Sequence, residues 1–231
     1  MTPHAAMIFA AGLGTRMGEL TRDRPKPLLT VGGRALVDHA LDLAREAGAA
    51  PIVANAHAHA ERLEAHLARV APEVRVSREP ERLETGGGLK AALPLLGQGA
   101  VLTLNADVVW RGPNPLTALA RAWDGERMGA LLALVPRTAA QGHAGRGDFH
   151  LAADGRLARP ASAGEAPFVY AGAQVIDTDA LAPFAPGAFS LNAVWDALLA
   201  EGRLHGLVWD GAWVDVGRPE GLALAEAELA R

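Results

Sequence analysis

The sequence predicts an α/β fold in which a doubly wound, mostly parallel sheet carries helices on both faces. Short apolar runs of strand length alternate with segments whose apolar residues recur at helical spacing. The chain has 231 residues, enough for one α/β domain with a large core. Half of the residues are hydrophobic and 21% are charged, and this composition excludes intrinsic disorder.

The first half of the chain alternates regularly between the two kinds of element. The continuous apolar run at 5–11 has the length of a buried parallel strand and ends at Gly12. Residues 12–26 are rich in Gly, Pro and Arg and are expected to form a long loop. Helical spacing predicts a helix at 36–47, which Gly48 ends. The elements expected after it are strands at 51–55, 74–77 and 100–105, and helices at 63–70 and 85–96.

The second half is less regular. A helix at 116–123 and a strand at 130–135 continue the alternation, and residues 142–148 are expected to form a glycine-rich loop. Strands are expected at 148–151 and 168–176, with turns at 154–155 and 160–167. A helix at 194–199, a strand at 213–216 and a closing helix at 222–229 complete the chain. We interpret 1–231 as a single domain, with a β-rich insertion between about 140 and 190 that forms one wall of a pocket.

Composition excludes several classes of function. No apolar run reaches 18 residues and the N-terminus lacks the basic stretch of a signal peptide, so no membrane partner is expected. The absence of cysteine excludes disulfides, Cys-ligated zinc, iron–sulfur clusters and thiol catalysis, and it fits a cytoplasmic protein. A net charge of −4 and 5% aromatic residues argue against a nucleic-acid partner, whereas small anionic ligands need only local charge.

A glycine loop follows the first strand. Its sequence, Ala-Ala-Gly-Leu-Gly-Thr-Arg-Met at 10–17, lacks the Walker A pattern, and Met17 stands where a dinucleotide fingerprint needs its third glycine. Arg16 and Lys26 flank the loop, and prolines on both sides hold Lys26, which is expected to be an exposed loop lysine. Two cations beside glycine amides suit a triphosphate, although the glycines alone would also fit a simple strand-end turn.

Two aspartates are candidate metal ligands. Asp107 follows the predicted strand at 100–105, at the carboxyl edge where parallel sheets bind ligands, and Asp215 ends another predicted strand. Two carboxylates together with phosphate oxygens form a site that Mg²⁺ favours. Each could instead be an exposed turn or cap residue, because only the fold could bring two residues so far apart in sequence together.

Several segments carry a family resemblance. Residues 10–17, followed by Lys-Pro-Leu-Leu-Thr-Val-Gly-Gly-Arg at 26–34, resemble the sugar-1-phosphate nucleotidyltransferases, whose signature is roughly G-x-G-x-R followed by P-K-P. The resemblance covers the whole chain. Segments 84–88, 102–107, 145–149 and 213–217 look most like the branch of N-acetylmuramate-1-phosphate uridylyltransferases of cell-wall recycling. Ala106 is a departure, because that branch commonly has Asn-Gly-Asp at this motif.

The resemblance implies a fold, a reaction and a set of site residues. It implies a Rossmann-like, glycosyltransferase-A-type fold with a nucleotide-binding half at 1–110, a sugar-binding half at 111–231 and a small β-rich sugar-binding insertion. It implies the Mg²⁺-dependent, in-line reaction of UTP with a sugar 1-phosphate, without a general base. The implied nucleotide contacts are Ala11, Gly12, Leu13, Gly14, Arg16, Lys26, Glu84, Gly86 and Gly87. The implied sugar contacts are Asn105, Asp148 and Gly172. The implied catalytic residues are Arg16, Lys26 and Asp107, and the implied metal ligands are Asp107 and Asp215.

More detailed roles follow for some of these residues. The resemblance places the loop at 84–88 against the nucleobase and ribose, with the backbone of Gly86 and Gly87 at the uracil edge, although Glu84 could merely cap a helix. Charge alone suggests Arg146 as the contact for the lactyl carboxylate of N-acetylmuramate, although it could equally be a solvated loop cation. We expect a monomer or a weak homo-oligomer.

Alternative functions stay open at this point. Within the class, a guanylyl- or thymidylyltransferase acting on mannose or glucose 1-phosphate is an alternative, and so is a glucose-1-phosphate uridylyltransferase. A nucleotide-sugar sensor without turnover is an alternative from another class, although both aspartates and Lys26 argue against it. A serine hydrolase is disfavoured because Ser162 and Ser190 lack the G-x-S-x-G elbow.

Overall fold

The computed structural model describes residues 3–161 and 164–231, so Ser162 lies outside the described residues. The helices are Leu36–Glu46 (α1), Ala60–Val70 (α2), Glu84–Leu96 (α3), Pro115–Ala122 (α4), Leu191–Ala200 (α5) and Pro219–Leu229 (α6). The strands are Ala5–Phe9 (β1), Thr30–Val31 (β2), Arg34–Ala35 (β3), Ile52–Ala56 (β4), Arg75–Arg78 (β5), Ala100–Asn105 (β6), Val108–Arg111 (β7), Ala130–Pro136 (β8), His150–Leu151 (β9), Leu157–Ala158 (β10), Phe168–Asp177 (β11), Leu204–Val208 (β12) and Ala212–Asp215 (β13).

One large sheet organises the described part of the chain. Its seven strands lie in the order β12-β8-β11-β6-β1-β4-β5. Neighbouring strands are parallel except at β11, which is antiparallel to both β6 and β8. The predicted α/β class with a mostly parallel sheet is confirmed. The sheet also contains strands from both predicted halves of the chain, since β6 pairs with β11.

Helices cover both faces of this sheet, as the alternation of side chains along β1 shows. Ala6 and Ile8 belong to the core cluster that includes residues of α1, α2 and α4, whereas Ala5 and Met7 belong to the cluster that includes residues of α3 and α5. Successive side chains of a strand point to opposite faces, so a strand that is apolar throughout must be covered on both. The continuous apolar run of β1 therefore determines its central place in the sheet.

A smaller layer lies beside the main sheet. β7 and β13 form an antiparallel ribbon, and Val109 and Val214 of this ribbon pack with Met17 and with Ala225 of α6 in a third core cluster. The ribbon starts directly after β6. Its second strand, β13, and the following helix α6 therefore lie next to the end of β6.

The sequence-based prediction needs three corrections. The strand at Phe168–Asp177 belongs to the centre of the main sheet, so the β-rich insertion is much shorter than the expected 140–190 and contains the small β9–β10 pair. β12 was missed because His205 and Gly206 interrupt its apolar pattern, although His205 is buried. β7 was missed because it follows β6 after a turn of two residues. Within the described residues, no helix combines the length and apolar character needed to cross a lipid bilayer.

Candidate active site

The glycine loop lies at the carboxyl end of β1. After β1 the chain adds β4 and β5 on one side of this strand and then β6 on its other side, so the crevice at the end of β1 is a topological switch point. Gly14 has φ of 65°, and a Cβ on this residue would lie 2.9 Å from Cγ2 of Thr21. Glycine therefore suits this position for two reasons, a left-handed backbone and lack of space. The loop continues into a short 3-10 segment at Thr15–Thr21, which carries Arg16.

Lys26 lies at the base of this crevice and is buried rather than exposed. It begins a 3-10 turn, Lys26–Leu28, and retains only 6% of its accessible surface. Its Nζ donates to Oδ2 of Asp107 at 2.7 Å. The expectation of an exposed loop lysine is therefore wrong, because the ion pair with Asp107 draws the ammonium into the interior. A buried ammonium needs such a partner, since leaving water without one is costly.

Asp215 lies beside Asp107 because of the β7–β13 ribbon. Asp215 is the register partner of Val108, and the amide of Val216 donates to the carbonyl of Asp107 at 2.9 Å. Burial raises the pKa of Asp215 above its usual value, and the negative charge of Asp107 raises this pKa further, while Lys26 and Arg16 act against the rise. The fold therefore brings together the two predicted metal ligands.

Arg16 belongs to the same charge cluster. A Cβ built on Gly217 would lie 3.2 Å from Nη2 of Arg16, and 2.9 Å and 3.0 Å from the two carboxylate oxygens of Asp215. The Arg16 guanidinium and the Asp215 carboxylate thus border the same space beside Gly217. Two cations and two carboxylates, from four separate segments of the chain, meet at the end of the central strands.

The crevice consists of two adjoining cavities with shared walls. The larger, of about 320 Å³, lies over the ends of β1 and β6, and the smaller, of about 210 Å³, lies over the glycine loop. The larger is lined by Phe9, Ala11, Gly12, Asn55, Glu79, Arg82, Glu84, Thr85, Asn105, Asp107 and Ser190. The smaller is lined by Gly12, Leu13, Gly14, Thr15, Arg16, Lys26, Arg82, Asp107 and Gly217. Most of the predicted nucleotide contacts therefore surround one continuous crevice.

The backbone amides of Gly86 and Gly87, which were predicted to meet the nucleobase, bind another part of the chain. The amides of Gly86 and Gly87 both donate to the carbonyl of Phe189, at 2.9 Å and 3.0 Å, and both glycines are buried. Among the described residues of this loop, Glu84 and Thr85 line the larger cavity. Glu84 has a positive φ of 59° and is exposed, so it is the first residue of α3 that faces the crevice.

A buried polar pair, which the sequence analysis did not find, supports the glycine loop. Oδ1 of Asn55 accepts from the amides of Ala10 and Ala11, at 2.7 Å and 3.2 Å. The Asn55 amide nitrogen donates to Oε1 of Glu79 at 2.7 Å, and Oε2 of Glu79 accepts from the amide of Leu83 at 3.3 Å. Both side chains are 3% exposed. An asparagine near the end of the apolar strand β4 was the available signal. The pair links the glycine loop to the loop before α3.

The predicted sugar contacts lie on the other side of Asp107. A Cβ on Gly172 would lie 3.0–3.2 Å from three side-chain atoms of Asn105, so only glycine leaves that amide its present position. The glycine-rich loop that carries Asp148 begins near Asp215, because the amide of Asp215 donates to the carbonyl of Gln141 at 2.9 Å.

The rest of this loop is held by backbone contacts. Oδ2 of Asp148 accepts from the amide of Tyr170 at 2.8 Å, and the carbonyl of Arg146 accepts from the amide of Ala166 at 2.8 Å. Among the described residues, neither Arg146 nor Asp148 lines the two cavities.

The match to known proteins agrees with this geometry. The model of the MobA-like NTP transferase domain matches residues 6–184. An N-acetylmuramate alpha-1-phosphate uridylyltransferase of Caulobacter vibrioides is 45% identical, with 99% of this chain and 98% of that protein covered. The chain belongs to the sugar-1-phosphate nucleotidyltransferase family. This nucleotidyltransferase is also 33% identical to an N-acetylmuramate alpha-1-phosphate uridylyltransferase of Neisseria meningitidis serogroup B, over 92% of each protein.

Solved structures share the fold of the nucleotidyltransferase at low sequence identity. A putative glucose-1-phosphate thymidylyltransferase from Bacillus anthracis has a TM-score of 0.83 and 16% identity, and 99% of this chain and 95% of that one are covered. The inositol-1-phosphate CTP transferase from T. maritima has a TM-score of 0.80 and 15% identity, over 100% and 98% of the two chains. The fold is therefore that of the sugar-phosphate nucleotidyltransferases, and the enzyme class follows from the family.

Proposed function

We propose that this enzyme joins UTP and N-acetylmuramate 1-phosphate to give UDP-N-acetylmuramate and pyrophosphate. The convergence of Arg16, Lys26, Asp107 and Asp215 on the crevice at the end of β1 and β6 carries the proposal, because this reaction needs charge at its phosphates. The choice of nucleotide and sugar is supported by the two curated relatives that cover nearly the whole chain.

The reaction would be a direct displacement at the α-phosphorus. An oxygen of the sugar phosphate attacks, the bond to the β-phosphate oxygen breaks, and pyrophosphate leaves from the opposite side. The attacking phosphate is already ionised at neutral pH, so no side chain has to remove a proton. Catalysis is then positioning and charge stabilisation, for which preorganised cations and amides are suited.

Each nucleotide-binding element has a part in this scheme. The amides at 12–14 and the Arg16 guanidinium would hold the β- and γ-phosphates in the smaller cavity. Lys26 would exchange its partner Asp107 for an oxygen of the α-phosphate or of the sugar phosphate. Arg82 lines both cavities and is exposed, so it is a further candidate for phosphate contact that the sequence analysis missed. Glu84 and Thr85, which line the larger cavity, would meet the base and ribose.

We propose Asp107 and Asp215 as the ligands of Mg²⁺. The fit is supported by the raised pKa of Asp215: burial is its main cause and the charge of Asp107 adds to it, and a bound cation would favour the ionised carboxylate against both. Among the described residues no group of three acidic or His side chains could hold a metal, so phosphate oxygens and water would complete the octahedral ligand set. The ion, once bound, supplies charge neutralisation at the transferring phosphate.

The sugar would occupy the side of the crevice near Asn105. The Asn105 amide, which lies beside Gly172 and lines the larger cavity, would meet a sugar hydroxyl. Asp148 has one carboxylate oxygen engaged by the Tyr170 amide, and the other would accept from a hydroxyl. Arg146 is exposed on the loop that begins beside Asp215, so we propose it as the contact for the lactyl carboxylate.

We also propose that the enzyme acts in the cytoplasm, where its nucleoside triphosphate is available. We likewise propose a monomer or a weak homo-oligomer as the active form.

A pyrophosphate-release screen tests the proposed function. Nucleoside triphosphates that include UTP, GTP and dTTP are each combined with a panel of sugar 1-phosphates. The panel includes those of N-acetylmuramate, N-acetylglucosamine, glucose and mannose. The proposal expects the highest kcat/KM with UTP and N-acetylmuramate 1-phosphate, and a smaller preference for that sugar in Arg146→Ala. A preference for GTP or dTTP would indicate the other transferases of the family. Binding without pyrophosphate release under every condition would indicate a sensor.

A further inference from the structure

A second cleft lies on the opposite side of the segment that carries Lys26. It has a volume of about 480 Å³ and shares no lining residue with the two cavities of the candidate active site. We call it the basic cleft, lined by Arg24, Leu28, Thr30, Gly33, Arg34, Ala35, Asp38, Arg62, His66, Arg69 and Val70. Arg24 and Leu28 each lie two residues from Lys26, so one short segment contributes to both sites.

Basic side chains reach this cleft from three separate parts of the chain. Arg24 comes from the Lys26 segment and Arg34 from the β2–β3 hairpin. Arg62, His66 and Arg69 are spaced i, i+4, i+7 along α2 and so form one face of that helix. Such convergence is unexpected for a protein of net charge −4, because the fold concentrates like charges that would repel one another without a ligand.

Asp38, the one acidic residue among the described residues that line the cleft, is already engaged. Its Oδ1 lies 2.7 Å from Nε2 of His66, and Nη2 of Arg69 lies 3.2 Å from Nδ1 of the same ring. A guanidinium can only donate, so Nδ1 accepts and the ring proton is on Nε2, which donates to Asp38. His66 thereby joins the carboxylate to the basic face of α2.

The arginines themselves are largely available. Arg34 forms an ion pair with Asp42 at 2.7 Å. Within the part of the chain that the structure describes, Arg24 and Arg62 form no ion pair with a carboxylate, and all four arginines are exposed. Their forked donors match phosphate oxygens better than they match water.

The remaining walls define the kind of ligand. Leu28, Ala35 and Val70 supply an aliphatic surface, and the described residues that line the cleft include no Phe, Tyr or Trp. A nucleobase would therefore lack an aromatic side chain on which to stack. We propose that the basic cleft binds a small phosphorylated compound without an aromatic ring, such as a sugar phosphate, at a site separate from the candidate active site.

Calorimetry with the full-length protein tests this proposal. The probe is glucose 6-phosphate, whose free anomeric hydroxyl prevents it from acting as a sugar 1-phosphate, and glucose is the uncharged control. We expect saturable binding of glucose 6-phosphate that weakens with added salt, and no binding of glucose. Arg62→Ala/Arg69→Ala should weaken binding by roughly tenfold or more for each arginine that contacts the phosphate.

Two further variants test whether glucose 6-phosphate binds at the basic cleft. Arg121→Ala/Arg127→Ala removes the same charge from two exposed positions outside the cleft, and should change the affinity by no more than about twofold. Arg16→Ala removes a cation from the candidate active site and should leave glucose 6-phosphate binding intact. No loss in Arg62→Ala/Arg69→Ala, equal loss in both double variants, loss in Arg16→Ala, or no saturable binding in the parent protein would each overturn the proposal. None of these measurements depends on turnover, so they are independent of the proposed reaction.

Discussion

Replacing Asp215 by asparagine should stabilise the protein while it removes activity. The carboxylate is partly buried and lies beside Asp107, and both features raise its pKa, so the ionised form that prevails at neutral pH is held at a cost to folding. Asparagine keeps the shape and removes the charge. Lys26 and Arg16 offset part of the cost, so we expect a gain within the range of about 0.5–2 kcal/mol common for functional-site replacements.

This gain should depend on pH in a defined direction. A carboxyl group whose pKa is raised on folding binds more protons in the folded state than in the unfolded state across the interval between the two pKa values. The free energy of unfolding of the parent protein should therefore fall, relative to that of Asp215→Asn, as pH rises through this interval. The difference should be smallest near pH 4 and constant once Asp215 is fully ionised.

Thermal melts in EDTA, at several pH values, measure this effect. A change of 1 kcal/mol shifts the melting temperature of a protein of this size by about 2–4 °C, so we expect Asp215→Asn to melt roughly 1–8 °C higher at neutral pH. Asp210→Asn, at an exposed position five residues earlier, is the matched control and should melt with the parent. Addition of MgCl₂ should raise the melting temperature of the parent more than that of the variant, because a ligand that binds the folded state stabilises it.

Activity provides the second half of the test. Pyrophosphate release by Asp215→Asn should fall by roughly 10²-fold or more, the scale of one preorganised charge contact at a transferring phosphate. A variant that melts below the parent at every pH would show that Asp215 is held by favourable contacts, and the strain assigned to the carboxylate pair would be wrong. Unchanged turnover in the variant, or undiminished turnover of the parent in EDTA, would contradict the role of Asp215 as a metal ligand.

Three further predictions concern the same crevice. Asp107→Ala and Asp215→Ala should each lower kcat in the pyrophosphate assay by roughly 10²-fold or more. The loss in the double variant should be much smaller than the product of the two single losses, because both residues would serve one ion. Fully multiplicative losses would contradict a shared site. Lys26→Ala should lower kcat/KM, and it should lower stability in urea titrations by about 1–3 kcal/mol because it leaves Asp107 without its 2.7 Å partner. Adding Asp107→Ala should recover part of the lost stability, whereas additive losses would mean that the pair is not coupled. Asn55→Ala should raise KM for UTP and destabilise the protein by about 1–3 kcal/mol, since Glu79 and two loop amides lose a buried partner. An unchanged KM would show that the loop holds its shape without Asn55.

The parts of the site that the sequence predicted are local in the chain. A buried strand, its glycine turn and the prolines around Lys26 lie within the first 27 residues, and their chemistry can be read from residue types and order. Asp107 follows directly after a strand, so its place at the sheet edge follows from the pattern. For the same reason, the helices and the main-sheet strands of the first half were predicted with small errors at their ends, whereas the short strands β2, β3 and β7 were missed.

The parts that the sequence did not predict depend on pairing between distant segments. Asn55 and Glu79 are 24 residues apart, and nothing local shows that both are buried and bonded to each other. β11 lies between β8 and β6, although its sequence fits an insertion equally well, because apolar strands carry no mark of their neighbours. The burial of Lys26 has the same origin, since its partner Asp107 is 81 positions away.

The charge around the smaller cavity favours the proposed divalent cation. Arg16, Lys26 and Arg82 bring three positive charges to the smaller cavity and its wall, and Asp107 and Asp215 bring two negative charges when both are ionised. The sum is +1, whereas a nucleoside triphosphate carries about four negative charges and the attacking phosphate close to two more. A site whose own cations are largely cancelled by its carboxylates cannot hold that much negative charge in a confined space. One Mg²⁺ on the aspartates, as proposed, would turn the pair that opposes substrate binding into part of the binding site, and it would account for an aspartate at position 215, where we expect its charge to weaken the fold.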